Sequence, residues 1–220
     1  MRITLPSGTP AELATPSSGA EPSRGLVIVP DIGSLRPLFD EMAQRLADEN
    51  GWAVCCFDLW AGQPDVSTLA DRLAKAGLLE DDRILGDAVA AADATGCAEV
   101  GVMGFCMGGM YTLKAAGTGR FVRAVSFYGM ARIRPDWQSP TQGAPLDALA
   151  APGACPALEL VGTADAWVPS EDIEALRAAG VEVVTYEGAD HGFVHDPSRP
   201  QHRPDDAADA WRRAIAHLSA

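Results

Sequence analysis

Six short, nearly unbroken apolar runs, each separated from the next by a longer stretch, constrain this chain most. They fall at residues 25–31, 52–58, 100–105, 122–128, 157–162 and 181–186, with Leu26-Val27-Ile28-Val29 and Val54-Cys55-Cys56-Phe57 as examples. A strand with one wet face alternates apolar and polar residues, so runs apolar at successive positions suit strands covered on both faces. Helical patterns lie between them at 37–49, 81–94, 107–116, 171–179 and 206–218. The first carries Leu38, Met42 and Leu46 against a charged back, and the last sets Trp211, Ile215 and Leu218 on one side. Alternating strands and helices predict an α/β fold, with a mostly parallel central sheet and helices on both faces. The first 15 residues read as an added hairpin turning at Ser7-Gly8-Thr9-Pro10. Residues 131–155, rich in Pro, Gly and Ala, read as an ordered excursion that supplies part of a pocket wall. No internal repeat appears, and residues 1–220 are expected to form a single domain.

Composition narrows the function classes. The formal net charge is −13 over 220 residues. Such a surface repels phosphate backbones and anionic membranes, so neither nucleic acid nor membrane is an expected partner. No apolar run has the length of a bilayer span, and Met1-Arg2-Ile3-Thr4-Leu5 has no signal-peptide core, which points to the cytoplasm. Five cysteines with no CxxC pair argue against a disulfide framework and a structural zinc site. Four of them read as small buried hydrophobes.

Cys106 is different. It sits in Gly104-Phe105-Cys106-Met107-Gly108-Gly109, where a predicted strand runs straight into a predicted helix. A nucleophile on that tight turn must adopt a strained backbone, and small residues two places before and after it relieve the crowding. Gly104 and Gly108 occupy those places, giving G-x-S-x-G with Cys for Ser. The helix N-terminus favours an ionised thiol, and the Met107 amide is a candidate oxyanion donor.

A thiol nucleophile needs a base, and the base needs an orienting group. In this strand–turn–helix arrangement the chain order is nucleophile, acid, histidine. Asp165, in Gly162-Thr163-Ala164-Asp165, and His191, in Ala189-Asp190-His191-Gly192-Phe193, follow Cys106 in that order, each just after a predicted strand. Both would sit at the carboxyl edge of the sheet with Cys106, where open α/β sheets bind ligands. Asp190 and Asp172 are alternative acids; His195, His202 and His217 are alternative bases. His191 and His195 have the spacing of metal ligands on one helical turn, but Gly192 and Pro197 oppose a helix there, and no metal is expected.

Taken together, these motifs and the tail from Arg203-Pro204-Asp205 to Trp211-Arg212-Arg213 resemble the dienelactone hydrolase family, over nearly the whole chain. The resemblance implies an α/β-hydrolase fold and hydrolysis of small esters or lactones without a cofactor. It implies a triad of Cys106, His191 and Asp165. It also implies that Asp31, after the first core strand, tunes the thiol, where the family usually has Glu, and that the Ile32 amide is the second oxyanion donor. Family members hold a substrate carboxylate with arginines, one of them shortly after the catalytic histidine. This chain has Val194 and His195 there, and Arg72 or Arg83 could supply the charge. Tyr128, Phe193 and His195, with Trp60 and Trp137, are the candidate substrate contacts. The expected partner is therefore a small ester or lactone, acting on a monomer or small homo-oligomer. A thioesterase, a non-catalytic ligand-binding protein on the same fold and a redox-sensing thiol protein are the competing readings.

Overall fold

A computed structural model describes residues 1–63 and 65–220. The N-terminal hairpin forms where it was expected, from β1 (Arg2–Thr4) and β2 (Pro10–Ala14). The core strands are β3 (Arg24–Val29), β4 (Trp52–Phe57), β5 (Val100–Phe105), β6 (Arg123–Phe127), β7 (Ala157–Gly162) and β8 (Glu182–Tyr186). All belong to one sheet in the order β1-β2-β4-β3-β5-β6-β7-β8. The two hairpin strands pair antiparallel, while β4-β3-β5-β6-β7-β8 is parallel throughout.

Strand alternation sends successive side chains to opposite faces. On β5 and β6, Phe105 and Phe127 stack at 4.7 Å and meet Trp211 at 5.8 and 5.3 Å. That face is covered by α1 (Pro37–Asn50) and α7 (Pro204–Ser219). Gly104 and Ser126, one residue earlier on each strand, point to the other face, beneath α4 (Met107–Ala116). Helix α3 (Asp81–Ala94) packs beside α4, and α6 (Ser170–Ala178) packs on β8. Each fully buried Phe or Leu contributes about 2–3 kcal/mol, and the strand runs supply most of them.

Two helices bury residues beyond their large apolar ones. The residues of α7 that are fully covered are Ala207, Ala210, Ala214 and Leu218; Trp211 and Ile215 are only half-buried. Small alanines let this helix lie close to the sheet, so its large apolar residues flank the contact. Helix α3 buries Asp87, which accepts hydrogen bonds from Ser7 Oγ (2.5 Å), Thr9 Oγ1 (2.7 Å) and Arg83 (3.1 Å). This polar contact fastens the turn of the N-terminal hairpin to the body. Two short helices appear where the sequence pattern assigned none: α2 (Leu69–Lys75) and α5 (Pro145–Leu149), the latter inside the 131–155 excursion. Among the described residues, no helix is long and apolar enough to cross a membrane.

The position of the site follows from the strand order. After β3 the chain steps outward to β4, then crosses back to β5 on the other side of β3. At such a switch point the loops leaving the carboxyl ends of β3 and β5 diverge and open a crevice. Asp31 and Ile32 leave β3 there, and Cys106 leaves β5.

Candidate active site

Cys106 has φ 58° and ψ −119°, a left-handed backbone on a residue with a side chain. Its amide donates to Phe127 O at 3.0 Å and its carbonyl accepts from Met110 N at 3.0 Å, so strand and helix both hold the turn. A Cβ on Gly104 would collide with the Gly108 carbonyl, and one on Gly108 would collide with the carbonyls of Val29 and Pro30. The two glycines therefore let the helix start immediately above the strand. Met107 is the first residue of α4, where an amide has no intrahelical acceptor.

The loop after β7 places Asp165, and the loop after β8 places His191. The Asp165 side chain is fully covered; its Oδ1 accepts from Trp167 N and its Oδ2 from His191 Nδ1, both at 2.8 Å. That leaves His191 Nε2 facing Cys106, with no other hydrogen-bond partner among the described residues. Burial opposes the charged imidazolium, but the adjacent Cys106 sulfur and the Asp165 carboxylate outweigh it and lift His191 to about 10. Asp190, the sequence alternative to Asp165, instead caps the His191 amide at 2.7 Å. Asp172 pairs with Arg132, and His217 lies in α7 against Pro156 O.

Cys106 and His191 line one cavity of about 200 Å³ together with Asp31 and Ile32. Leu69 and Leu73 of α2, with Trp137 and Trp167, form its apolar wall. Trp137 belongs to the 131–155 excursion, which thus does contribute to the wall. Its indole N–H has no hydrogen-bond partner among the described residues. Trp167 lies 5.6 Å from the His191 ring and carries the Arg134 guanidinium on its other side at 4.4 Å. Arg199, Gln201 and Asp190 make the polar rim. Arg199 finds room because Gly192 (φ 81°) lacks a side chain; a Cβ there would stand 2.6 Å from its Nη1.

The remaining expected contacts sit elsewhere. Tyr128, Phe193 and His195 are buried and do not border this cavity. His195 lies against Phe105 (4.8 Å) and faces a separate cleft between α1 and α7. Its Nδ1 meets Tyr128 Oη at 2.5 Å and its Nε2 meets Asp31 Oδ2 at 2.8 Å. Burial lowers His195 from its ordinary value, against the pull of Asp31, and raises the Tyr128 phenol. A neutral ring fits these partners: Tyr128 donates to Nδ1, and Nε2–H donates to Asp31. Asp31 also accepts from Gly33 N (2.7 Å) and twice from Arg36 (2.6 and 2.8 Å). Burial alone would raise Asp31, but His195 and Arg36 hold it well below the usual carboxylate range. Trp60 is a core residue whose indole donates to Ile32 O at 2.8 Å. Arg72 binds the carbonyls of Val66, Ile32 and Gly33, and Arg83 binds Asp87 and the Leu59 carbonyl, so both are committed to holding loops.

Sequence reasoning missed Arg199, Trp167 and the two leucines of α2. Only α2 had a local signal, the Thr68-x-x-Asp71 capping box, in which each side chain bonds the other's backbone amide. Arg199 lies in an aperiodic Pro-rich loop, and nothing in its neighbours tells where such a loop turns.

With this geometry in place, relatives become informative. The profile of the dienelactone hydrolase family matches residues 10–220. The chain belongs to that family. It is 33% identical to a Methylorubrum extorquens protein provisionally named carboxymethylenebutenolidase, over 97% of this chain and 77% of that one. It is 28% identical to a Bradyrhizobium protein provisionally named 2-oxo-3-(5-oxofuran-2-ylidene)propanoate lactonase, over 88% of this chain and 82% of that one. The crystal structure of a Klebsiella pneumoniae protein provisionally named a dienelactone hydrolase superimposes with a TM-score of 0.87 at 26% identity, covering 100% of this chain and 97% of that one. The α/β-hydrolase fold expected from the sequence is thus present, and as a member of the dienelactone hydrolase family the chain is a hydrolase of ester or lactone bonds.

Proposed function

We propose that the protein cleaves small esters or lactones through an acyl-enzyme on Cys106, with His191 as acid and base and Asp165 as its orienting group. The observation that carries this reading is the His191 ring: Nδ1 is tied to Asp165 at 2.8 Å, while Nε2 faces Cys106 in the same cavity. The Cys106 sulfur attacks the carbonyl carbon, and the oxyanion that forms is held by the amides of Met107 and Ile32. The carbon–oxygen bond then breaks as His191 gives the Nε2 proton to the leaving oxygen, producing a thioester and an alcohol, or one opened chain from a lactone. Water attacks the thioester, His191 takes its proton, the carbon–sulfur bond breaks, and the carboxylic acid leaves.

Asp31 takes no proton in this scheme. A carboxylate already accepting from Arg36, Gly33 and His195 is stabilised in its charged form and is a weak base. Its place is to fix the loop that carries Ile32. The cavity volume limits the substrate to a small molecule, its apolar wall suits a flat or branched hydrocarbon part, and Arg199 at the rim gives a carboxylate-bearing substrate a forked donor. The protein acts in the cytoplasm as a single-domain monomer or small homo-oligomer.

Mass spectrometry of the intact protein mixed with a panel of small esters, lactones and thioesters tests the reading. Wild type should gain the acyl mass on the peptide containing Cys106, and Cys106→Ala should gain none and turn nothing over. Equal turnover by the two proteins would overturn it. Ligand-induced stabilisation with no turnover on any member would favour a binding protein, and preference for thioesters would move the substrate class.

A further inference from the structure

We propose that Glu159 is a neutral carboxylic acid that braces the floor of the catalytic site, paired with Ser126 and accepting from Gly129. Glu159 lies in the middle of β7 and is completely buried. Its register partner on β6 is Ser126, so the two side chains project side by side onto the face beneath α4. Glu159 Oε1 accepts from Gly129 N at 3.0 Å. Glu159 Oε2 and Ser126 Oγ are both buried, lie within reach of each other and have no other hydrogen-bond partner among the described residues. The hydroxyl and the carboxyl can share one hydrogen bond in either protonation state, so it is complete burial without a paired cation that argues for the neutral acid.

The charges around it are mixed, and the hydrogen bonds from Ser126 and Gly129 favour ionisation. Among the described residues no lysine or arginine forms an ion pair with Glu159; the titratable groups that act on it are Asp165, which disfavours ionisation, and His191, which favours it. Burial is the dominant influence and pushes the carboxyl well above its ordinary value near 4.5. An isolated buried carboxylate is costly, and here it would also place a second negative charge beside the triad.

The group it holds is positioned to matter. Gly129 follows Tyr128, which has φ 44° and whose ring centre stands 5.1 Å from that of His191. Gly129 also abuts the first turn of α4, where a Cβ on Gly109 would come within 2.8 Å of its Cα. Glu159 thus supports, through one backbone amide, both the helix that begins at Cys106 and the wall behind His191. It touches no reacting atom and is a positioning residue.

The positioning role rests on the proposed reaction; the protonation state does not, and it is tested without activity. Glu159→Gln keeps an acceptor for Gly129 and a donor for Ser126 but cannot ionise. In the unfolded chain Glu159 ionises near 4.5, whereas the folded wild type must retain the proton, so the wild type loses stability as pH rises above that value. The melting temperature of Glu159→Gln minus that of wild type should therefore climb from about pH 5 to about pH 8. The infrared spectrum at neutral pH should show a protonated-carboxyl C=O band in wild type that Glu159→Gln lacks. Activity of Glu159→Gln should stay within about threefold of wild type with an unshifted pH profile, whereas Glu159→Ala should lose about tenfold in kcat by leaving the Gly129 amide unpaired. If Glu159→Ala does not fold, Glu159→Gln with the infrared band decides. A melting difference that is flat or falls with pH, an absent protonated band, or a displaced pH profile in Glu159→Gln overturns the proposal.

Discussion

Two carboxylate–imidazole pairs with the same 2.8 Å separation stand at the carboxyl edge of this sheet, four residues apart at their histidines. In one, Asp165 holds Nδ1 of His191 and leaves Nε2 to Cys106 in a shared cavity. In the other, Asp31 holds Nε2 of His195 while Tyr128 occupies Nδ1, and the ring is sealed against Phe105. The environments move the two histidines in opposite directions. A neighbouring sulfur and a carboxylate with no competing cation raise His191. Burial lowers His195, and its carboxylate is already neutralised by Arg36. In the proposed reaction the same residue pair carries protons in one place and is a strut in the other. What separates them is a nitrogen that faces Cys106 and access to substrate.

Mutations should split the two pairs cleanly. His191→Ala removes the proton carrier and should lower kcat about 10³-fold or more, measured on whichever ester the mass-spectrometric panel identifies, with the fold intact by circular dichroism. Asp165→Asn should cost about 10²–10⁴-fold in kcat, because the amide no longer selects the Nδ1–H tautomer. His195→Gln should do the reverse: kcat within about tenfold of wild type, but stability lower by about 2–3 kcal/mol in urea unfolding, since the Asp31 and Tyr128 oxygens lose buried partners. A kcat loss at His195 as large as that at His191 would erase the distinction.

Titration sharpens it. The Asp31 carboxyl is depressed, so its contribution to stability is complete above the ordinary value near 3.8 and is lost as pH falls below it. Asp31→Asn should melt lower than wild type at neutral pH, with the gap closing under acid. His191 is raised from 6.5 to about 10, so its contribution is complete below 6.5 and is lost as pH climbs toward 10. Imidazole NMR should show that titration in wild type and a lower midpoint in Cys106→Ala, which removes the neighbouring sulfur. The smallest effect is expected for Tyr128→Phe, about 1 kcal/mol of stability and little change in kcat, because it deletes one hydrogen bond of the sealed pair.

How legible each part was depends on how local its cause is. The elbow could be read from six residues because its constraint is steric and short-range: Gly104 and Gly108 are small so that β5 and α4 can meet at Cys106. Asp165 and His191 were found from chain order and from strand ends. Helix α2 escaped notice because it buries none of its residues and so carries no core-facing stripe, though its capping box was visible. The alanine ridge of α7 was not anticipated because sequence weight falls on Trp211 and Ile215, while close approach to a sheet favours the smallest side chains.

The amino-acid sequence by itself determined the strand and helix alternation, the parallel sheet, the tight turn at Cys106 and the order of the residues that follow it. Each of these is set by contacts within a few residues or by a repeating pattern of apolar positions. Only the tertiary structure decided which histidine is free and which is locked, that Arg199 and two tryptophans border the cavity, and that Glu159 lies beneath it. Those outcomes depend on side chains brought together across long separations, such as the 164 residues between Asp31 and His195. Their protonation follows from burial and neighbouring charge, which the chain acquires only when it is folded.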